Sequence, residues 1–281
     1  MDDHGTSRAL RSNTSLPTPP LSAPKILNNI RTTLLSQTES TNILFTDIPE
    51  DIGRQVFDEL CEDGIIEQLA PRLGYDSVTK VFNAKVMPSF IHDVPQGWMV
   101  HEFALMCRAN FLTLDEQWHL HPYVDTTFQT FTAPYTQSRK QPDWALVPRT
   151  DRMLSIVFEN GWTEGWGHLK NDMRLWLLGG HPNVQLVFHV KWVNHTSTNK
   201  VSGELRVYER TMTGNVHERH CISLFHIPQA GLTSIPITRG ELFGVNGVLP
   251  GRNAGDVWNL QLSTLRDLGG ARIRDAGFVP A

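Results

Sequence analysis

The stretch KQPDWALVPRTDRMLSIVFENGW, from Lys140 to Trp162, holds two apolar runs separated by a turn. MLSIVFE (153–159) reads as a buried strand that ends on a carboxylate, Glu159, and QPDWALV (141–147) reads as a strand carrying Asp143 directly after a proline. Strand side chains alternate between faces, so Leu154, Ile156 and Phe158 share one face while Ser155, Val157 and Glu159 share the other. By the same rule Asp143 lies with Ala145 and Val147, and Trp144 and Leu146 point the opposite way. Small neighbours beside each acid leave room for an ion or a substrate. Taken singly, Asp143 is a turn cap and Glu159 a strand-end acid facing water. Taken together in a partly dry site they repel, and a divalent cation with oxygen ligands is one way to compensate them.

Working outward, residues 163–178 form an amphipathic helical pattern that stops at Gly179-Gly180, a common C-terminal signal. VQLVFHVKWV (184–193) and GELRVYER (203–210) follow as strands, so the segment from Glu159 to Val184 has the length of a βαβ crossover. Upstream, TTFQTF (126–131) is rich in strand-forming residues. GWMVHEFALMCRANF carries Met99, Phe103, Met106, Cys107 and Phe111 on one helical stripe, and PEDIGRQVFDELCEDGIIEQLA has a looser one. Residues 1–42, rich in Ser, Thr, Pro and Asn, are expected to be a disordered tail, leaving 43–281 as one domain. The expected architecture is α/β, a central mixed sheet built from strands near 126–131, 141–147, 153–159 and 184–193, flanked by helices.

The 281-residue chain is 40% hydrophobic, enough for one substantial core. A formal charge of −4 gives no global positive field toward nucleic acid. Three scattered cysteines fit a reducing compartment, no apolar run reaches membrane-span length, and the N-terminus has no secretory pattern. An intracellular protein, nuclear or cytoplasmic, is expected, with no membrane partner and no sequence signal for an oligomeric state. HERHC (217–221) brings His217, His220 and Cys221 together but lacks a fourth zinc ligand at sensible spacing.

The ordered set around the carboxylates resembles the PD-(D/E)XK nuclease superfamily, and more closely a group of uncharacterised fungal proteins with that core. Their run is of the type S-K-x-P-D, a hydrophobic strand into E-x-G-[WY]-[ST]-E, then L-x-x-D-x-x-x-W-L and V-x-L-V. This chain carries Ser138, Lys140, Pro142 and Asp143; Glu159, Gly161, Trp162, Thr163 and Glu164; Leu169, Asp172, Trp176 and Leu177; and Val184, Leu186 and Val187. The resemblance covers roughly residues 85–245 and implies a restriction-endonuclease-like core. It further implies a metal-dependent phosphodiesterase acting on nucleic acid, with magnesium, or manganese in its place, held by Asp143, Glu159 and the backbone carbonyl of Asn160. The superfamily's third motif position, a lysine that orients water and stabilises charge on phosphate, is Gly161 here.

That departure raises two readings. In one, a lysine has migrated: Lys170, on the flank of the helical stripe of Trp166, Leu169, Met173, Trp176 and Leu177, is the first candidate and Arg174 the second. In the other, the chain is a catalytically degenerate nuclease fold that binds nucleic acid or protein. Further candidates are Glu102 from the helix before the sheet, Lys140 toward a phosphate backbone, and Glu164, whose place in a first helical turn already has a dipole reason.

Overall fold

A computed structural model describes residues 22–36, 41–86, 90–124, 126–149, 153–162, 165–228, 231–244 and 246–281. In chain order the elements are α1 (Ala23–Ser36), β1 (Thr41–Phe45), α2 (Glu50–Cys61), α3 (Gly64–Glu67), β2 (Arg72–Asp76), β3 (Val81–Val86), α4 (Val94–Arg108), α5 (Leu114–Trp118) and β4 (Leu120–Tyr123). They continue with β5 (Arg139–Lys140), β6 (Trp144–Pro148), β7 (Ile156–Gly161), α6 (Trp166–Arg174), a π turn over Leu175–Gly179, β8 (Leu186–His195), β9 (Lys200–Arg210) and β10 (Val216–Phe225). The chain closes with β11 (Ser234–Thr238), α7 (Arg239–Phe243), β12 (Val257–Gln261), α8 (Leu262–Asp275) and β13 (Val279–Pro280).

The protein is mixed α/β, with a central seven-stranded sheet in the order β10-β9-β8-β7-β6-β4, and β13 alongside β9. β7 and β8 run parallel in the register Ile156↔Leu186 to Gly161↔Lys191, with α6 in the crossover between them. β6 and β7 are antiparallel, pairing Trp144 with Phe158. The period-2 pattern of the two runs sorts the core as expected. Trp144, Leu146, Ile156 and Phe158 join Phe188 and Trp192 under α4 and α8, while Ala145, Val147 and Val157 join Val187 under the α6 crossover. The strand expected at 126–131 is not one. β4 holds that sheet edge, and the Thr-rich segment makes one isolated bridge, Phe128 to Lys140. Its aromatics turn inward instead: Phe128 and Phe131 pack on Trp176 at ring-centroid distances of 6.1 and 5.4 Å.

A smaller sheet, ordered β1-β3-β2-β5, is built almost wholly before the central one. Leu73, Tyr75, Phe82 and Ala84 form its inner face and pack with Val56, Phe57 and Leu60 of α2. They also pack against α1, which corrects the expected tail. Over Ala23–Ser36 the chain is a helix whose Ala23, Ile26, Leu27, Ile30 and Leu34 are buried, an apolar stripe that offsets the ordering entropy the surrounding composition could not. Residues 1–21 and 37–40 of that expected tail lie outside the described residues.

Candidate functional site

Asp143 and Glu159 stand one residue beyond the Trp144–Phe158 pair, at the same end of β6 and β7, and both are buried. Alternation places Glu159 on the α6 face, where its Oε1 accepts from the Trp176 indole Nε1 at 2.7 Å. Asp143 Oδ2 accepts from the Asn160 backbone N–H at 2.6 Å, which ties the start of β6 to the end of β7. The two acids and Asn160 therefore lie at one edge of the sheet, the end where β6 begins and β7 finishes.

The other face of the small sheet is polar, and it lies over that edge. β3 alternates Phe82 and Ala84 inward with Asn83 and Lys85 outward, and Lys85 stands directly opposite Arg72 on β2. Two cations facing each other across strands repel, and Asp143 lies between them. Lys85 Nζ is 3.4 Å from Asp143 Oδ2, and Arg72 Nε is 3.8 Å from Asp143 Oδ1. Lys85 Nζ also donates to the carbonyl oxygen of Asn160. Lys140, on β5, reaches Asp172 Oδ2 at 2.8 Å and Glu159 Oε1 at 3.8 Å. Its register partner is Gly74, where an added Cβ would come within 3.0 Å of the Lys140 Cδ, so the glycine makes room for the lysine's stem.

Burial alone would raise the Asp143 carboxyl, but the Lys85 ammonium, the Asn160 N–H and Arg72 outweigh it and hold Asp143 below the usual carboxylate range. Glu159 goes the other way: burial pushes it up to about 8, against the pull of Lys140. The 3.8 Å ion pair and that upward shift point in opposite directions, and burial prevails. Lys140 is held closer by Asp172, and the charges of Asp143 and Asp172 both disfavour a further anion. His189, paired across β8 with Glu159, and His92, beside Lys85 and Asp143, are each lowered to about 3, chiefly by burial, and are neutral. Neither ring nitrogen of either histidine has a hydrogen-bond partner among the described residues.

The remaining sequence candidates fall elsewhere. Lys170 is exposed and makes no hydrogen bond or ion pair with a described residue, so it does not stand in for the lysine missing at Gly161. Its flank position on α6 leaves it turned to solvent. Arg174 is also exposed, with its field falling on Tyr135. Glu102 is fully buried away from the pair, accepting from Trp258 Nε1 at 2.8 Å and from the Gln261 N–H at 2.7 Å, and so joins α4 to β12. Thr163 and Glu164 lie outside the described residues. Lys191 neighbours Gly161 on β8, yet its ammonium stacks on Trp166 at 5.1 Å. Sequence reasoning missed Lys85 and Arg72; the alternation in VFNAKV marks Lys85 as facing away from the apolar side, but not what it faces.

A magnesium ion does not fit the arrangement present. Two of its three implied donors, Asp143 Oδ2 and the Asn160 carbonyl, are already bridged by the Lys85 ammonium, and the third, Glu159, is engaged by Trp176. No group of three or more His, Cys, Asp or Glu side chains able to hold a metal occurs among the described residues. The cleft lined by Arg72, Lys85, His92, Asp93 and Asp143 has a volume of about 50 Å³, and the one beside Lys140 and Asp172 about 20 Å³. Such volumes admit waters or a small ion and not a polymer.

Comparison with protein-family models, with curated proteins and with solved structures finds no match to this chain. No helix among the described residues is long and apolar enough to cross a membrane.

Proposed function

We propose that this chain is a nuclease-type α/β protein, with a restriction-endonuclease-like core, whose carboxylate pair binds its own N-terminal layer instead of catalysing hydrolysis, and that it works as a protein-binding module. The observation that carries this reading is the Lys85 ammonium seated between Asp143 and the Asn160 carbonyl, in the place a catalytic divalent ion would take. A protonated Glu159 is a poor ligand for such an ion, which supports the same reading. Nucleic acid is the weaker partner because the cations of the site are spent on internal acids and the formal charge is −4. Protein is favoured by α5 and the edge strand β4, where Leu114 is 84% and Trp118 70% exposed beside a cleft of about 300 Å³ lined by Phe103, Cys107, Leu120 and Pro122.

The test is incubation of the purified full chain with single- and double-stranded DNA and RNA in magnesium or manganese, alongside Asp143→Asn. The expected result is no cleavage that depends on Asp143. Metal-dependent hydrolysis lost in Asp143→Asn would overturn the reading.

That outcome would favour the second reading, a metal-dependent phosphodiesterase with a displaced lysine. One observation supports it: Lys140 lies 3.8 Å from Glu159, so the lysine absent at Gly161 has a neighbour able to replace it.

A further inference from the structure

We propose, on the reading of this chain as a protein-binding module, that the groove between α4 and the α5–β4 edge receives an acidic amphipathic helix of a partner protein.

α4 is apolar on two sides although it lies at the surface. One side, with Trp98, Met99 and Met106, is core. The other carries Val100, Phe103, Ala104 and Cys107 at i, i+3, i+4 and i+7, a second stripe. Val100 is 58% exposed, Ala104 is exposed, and Phe103 and Cys107 are half-buried. A surface helix ordinarily turns polar residues outward, so a stripe of this kind marks a surface that another molecule covers. α5 forms the opposite wall. Leu114, Gln117 and Trp118, at i, i+3 and i+4, share one face, and Gln117 lines the cleft of about 300 Å³ together with Leu120 and Pro122 of β4.

The stripe from Val100 to Cys107 is two helical turns, about 10 Å long, the length over which a docked helix sets its own anchors at i, i+3, i+4 and i+7. A strand is a poorer occupant. The His119 carbonyl accepts from the Arg149 N–H at 2.8 Å, so alternation turns Leu120 and Pro122 toward the open edge of β4, and Pro122 has no N–H to offer a further strand. A flat bilayer leaves a concave cleft unfilled.

Charge sets the sign of the partner. Arg108 follows Cys107 at the end of α4, Arg149 is tied to His119 beside Leu120, and both are exposed. The acids of α5 do not cancel them: Glu116 is buried against Arg239, and Asp115 stands 3.8 Å from the His119 imidazole. An apolar groove with a basic rim is complementary to an apolar stripe flanked by carboxylates. A second copy of this chain is not, because a two-fold interface brings the same basic rim in from both sides.

The test is selection on the full chain from a library of random peptides about 16 residues long, or roughly four helical turns. Ala104→Glu, which puts a charge into the cleft from an exposed position, serves as counter-selection. Expected are sequences with bulky apolar residues at i, i+3 or i+4, and i+7, set among aspartates and glutamates. The enriched peptide, labelled with fluorescein and read by anisotropy, should bind wild type at least about tenfold more tightly than it binds Trp118→Ala or Ala104→Glu. Arg108→Glu should weaken binding and flatten its dependence on salt. Circular dichroism and melting temperature of the variants should match wild type, and Leu114→Ser replaces any that does not. Enrichment of basic or uncharged sequences, no enrichment, or binding that survives both Trp118→Ala and Ala104→Glu would overturn the proposal. So would a wild-type dimer in sedimentation that Trp118→Ala splits, or binding to phosphatidylserine vesicles that Trp118→Ala abolishes. A basic peptide held in the cleft would leave the protein-binding reading standing, whereas cleavage that depends on Asp143 would sink that reading alone.

Discussion

Replacing Glu159 with glutamine tests the electrostatic account of the site at one atom pair. In the folded protein burial holds this carboxyl at about 8, against an ordinary value of 4.5. Once pH exceeds 4.5 the unfolded chain gives up this proton readily while the folded chain keeps it, so the group's contribution to stability is fully present below 4.5 and is lost as pH rises to about 8. Over the upper part of that window, from pH 6.5 to 8, Glu159 sets a falling slope, and the two buried histidines, neutral in the folded protein but partly protonated in the unfolded chain near pH 6.5, offset it in part at the lower end. At about 1.4 kcal/mol per pH unit the loss across that interval is roughly 2 kcal/mol, or some 4–8 °C in Tm for a domain of this size. Glu159→Gln keeps an acceptor for the Trp176 N–H and leaves Lys140 its closer partner, Asp172, while abolishing the titration. Urea unfolding of both proteins at pH 6.5, 7.5 and 8.5 should therefore show wild type losing stability relative to the variant by roughly 2 kcal/mol as pH rises. A variant that changes in parallel with wild type would refute the claim that burial defeats Lys140 at this carboxyl.

Lys170→Ala should change stability by no more than about 0.5 kcal/mol, whereas Lys140→Ala should cost about 1–3 kcal/mol by taking from half-buried Asp172 the cation that it meets at 2.8 Å; urea midpoints compare them. Arg239→Ala should cost roughly 3–5 kcal/mol in the same assay, because Arg239 is buried against fully buried Glu116 and donates to the Phe111 carbonyl at 2.7 Å. Truncation to begin at Thr41 removes Ile26, Leu27, Ile30 and Leu34, each worth about 1.5–3 kcal/mol of burial. Their sum rivals the whole stability of an ordinary domain, so the shortened chain should lose amide protection throughout β1–β3, read by hydrogen exchange.

The sequence made the centre of the fold readable because β6 and β7 are buried along their whole length and β8 over its first five residues, and such strands are apolar runs with few competing interpretations. Alternation gave the face of each acid, while their meeting in one site was implied only by the resemblance. The segment 126–131 misled because threonine and phenylalanine favour strands in general, while here Trp176 offered the two phenylalanines a better contact than a neighbouring strand did. α1 was hidden by the composition around it, although Ile26, Leu27, Ile30 and Leu34 are spaced for one helical face. Sequence reasoning raised Lys170 and Arg174 and not Lys85, for a different reason. A helix adjacent in sequence is visible as a neighbour, but the docking of one sheet's polar face on another's edge joins residues 58 apart in the case of Lys85 and Asp143, and no local pattern encodes it.

The two-residue strand β5 completes the small sheet from a distance: Arg139 and Lys140 pair with Tyr75 and Gly74, and Asp143 follows three residues later in the chain. During synthesis, then, Arg72 and Lys85 leave the ribosome well before the acids that will neutralise them. Until Lys140, Asp143 and Glu159 emerge, the nascent layer presents a charged face to solvent beside the still unpaired edge of β2, and lysine and arginine there discourage pairing with other nascent chains. The order of translation, cations first and carboxylates after, lets one set of residues act as a solubilising guard while the chain is short and as the joint between layers once it is complete.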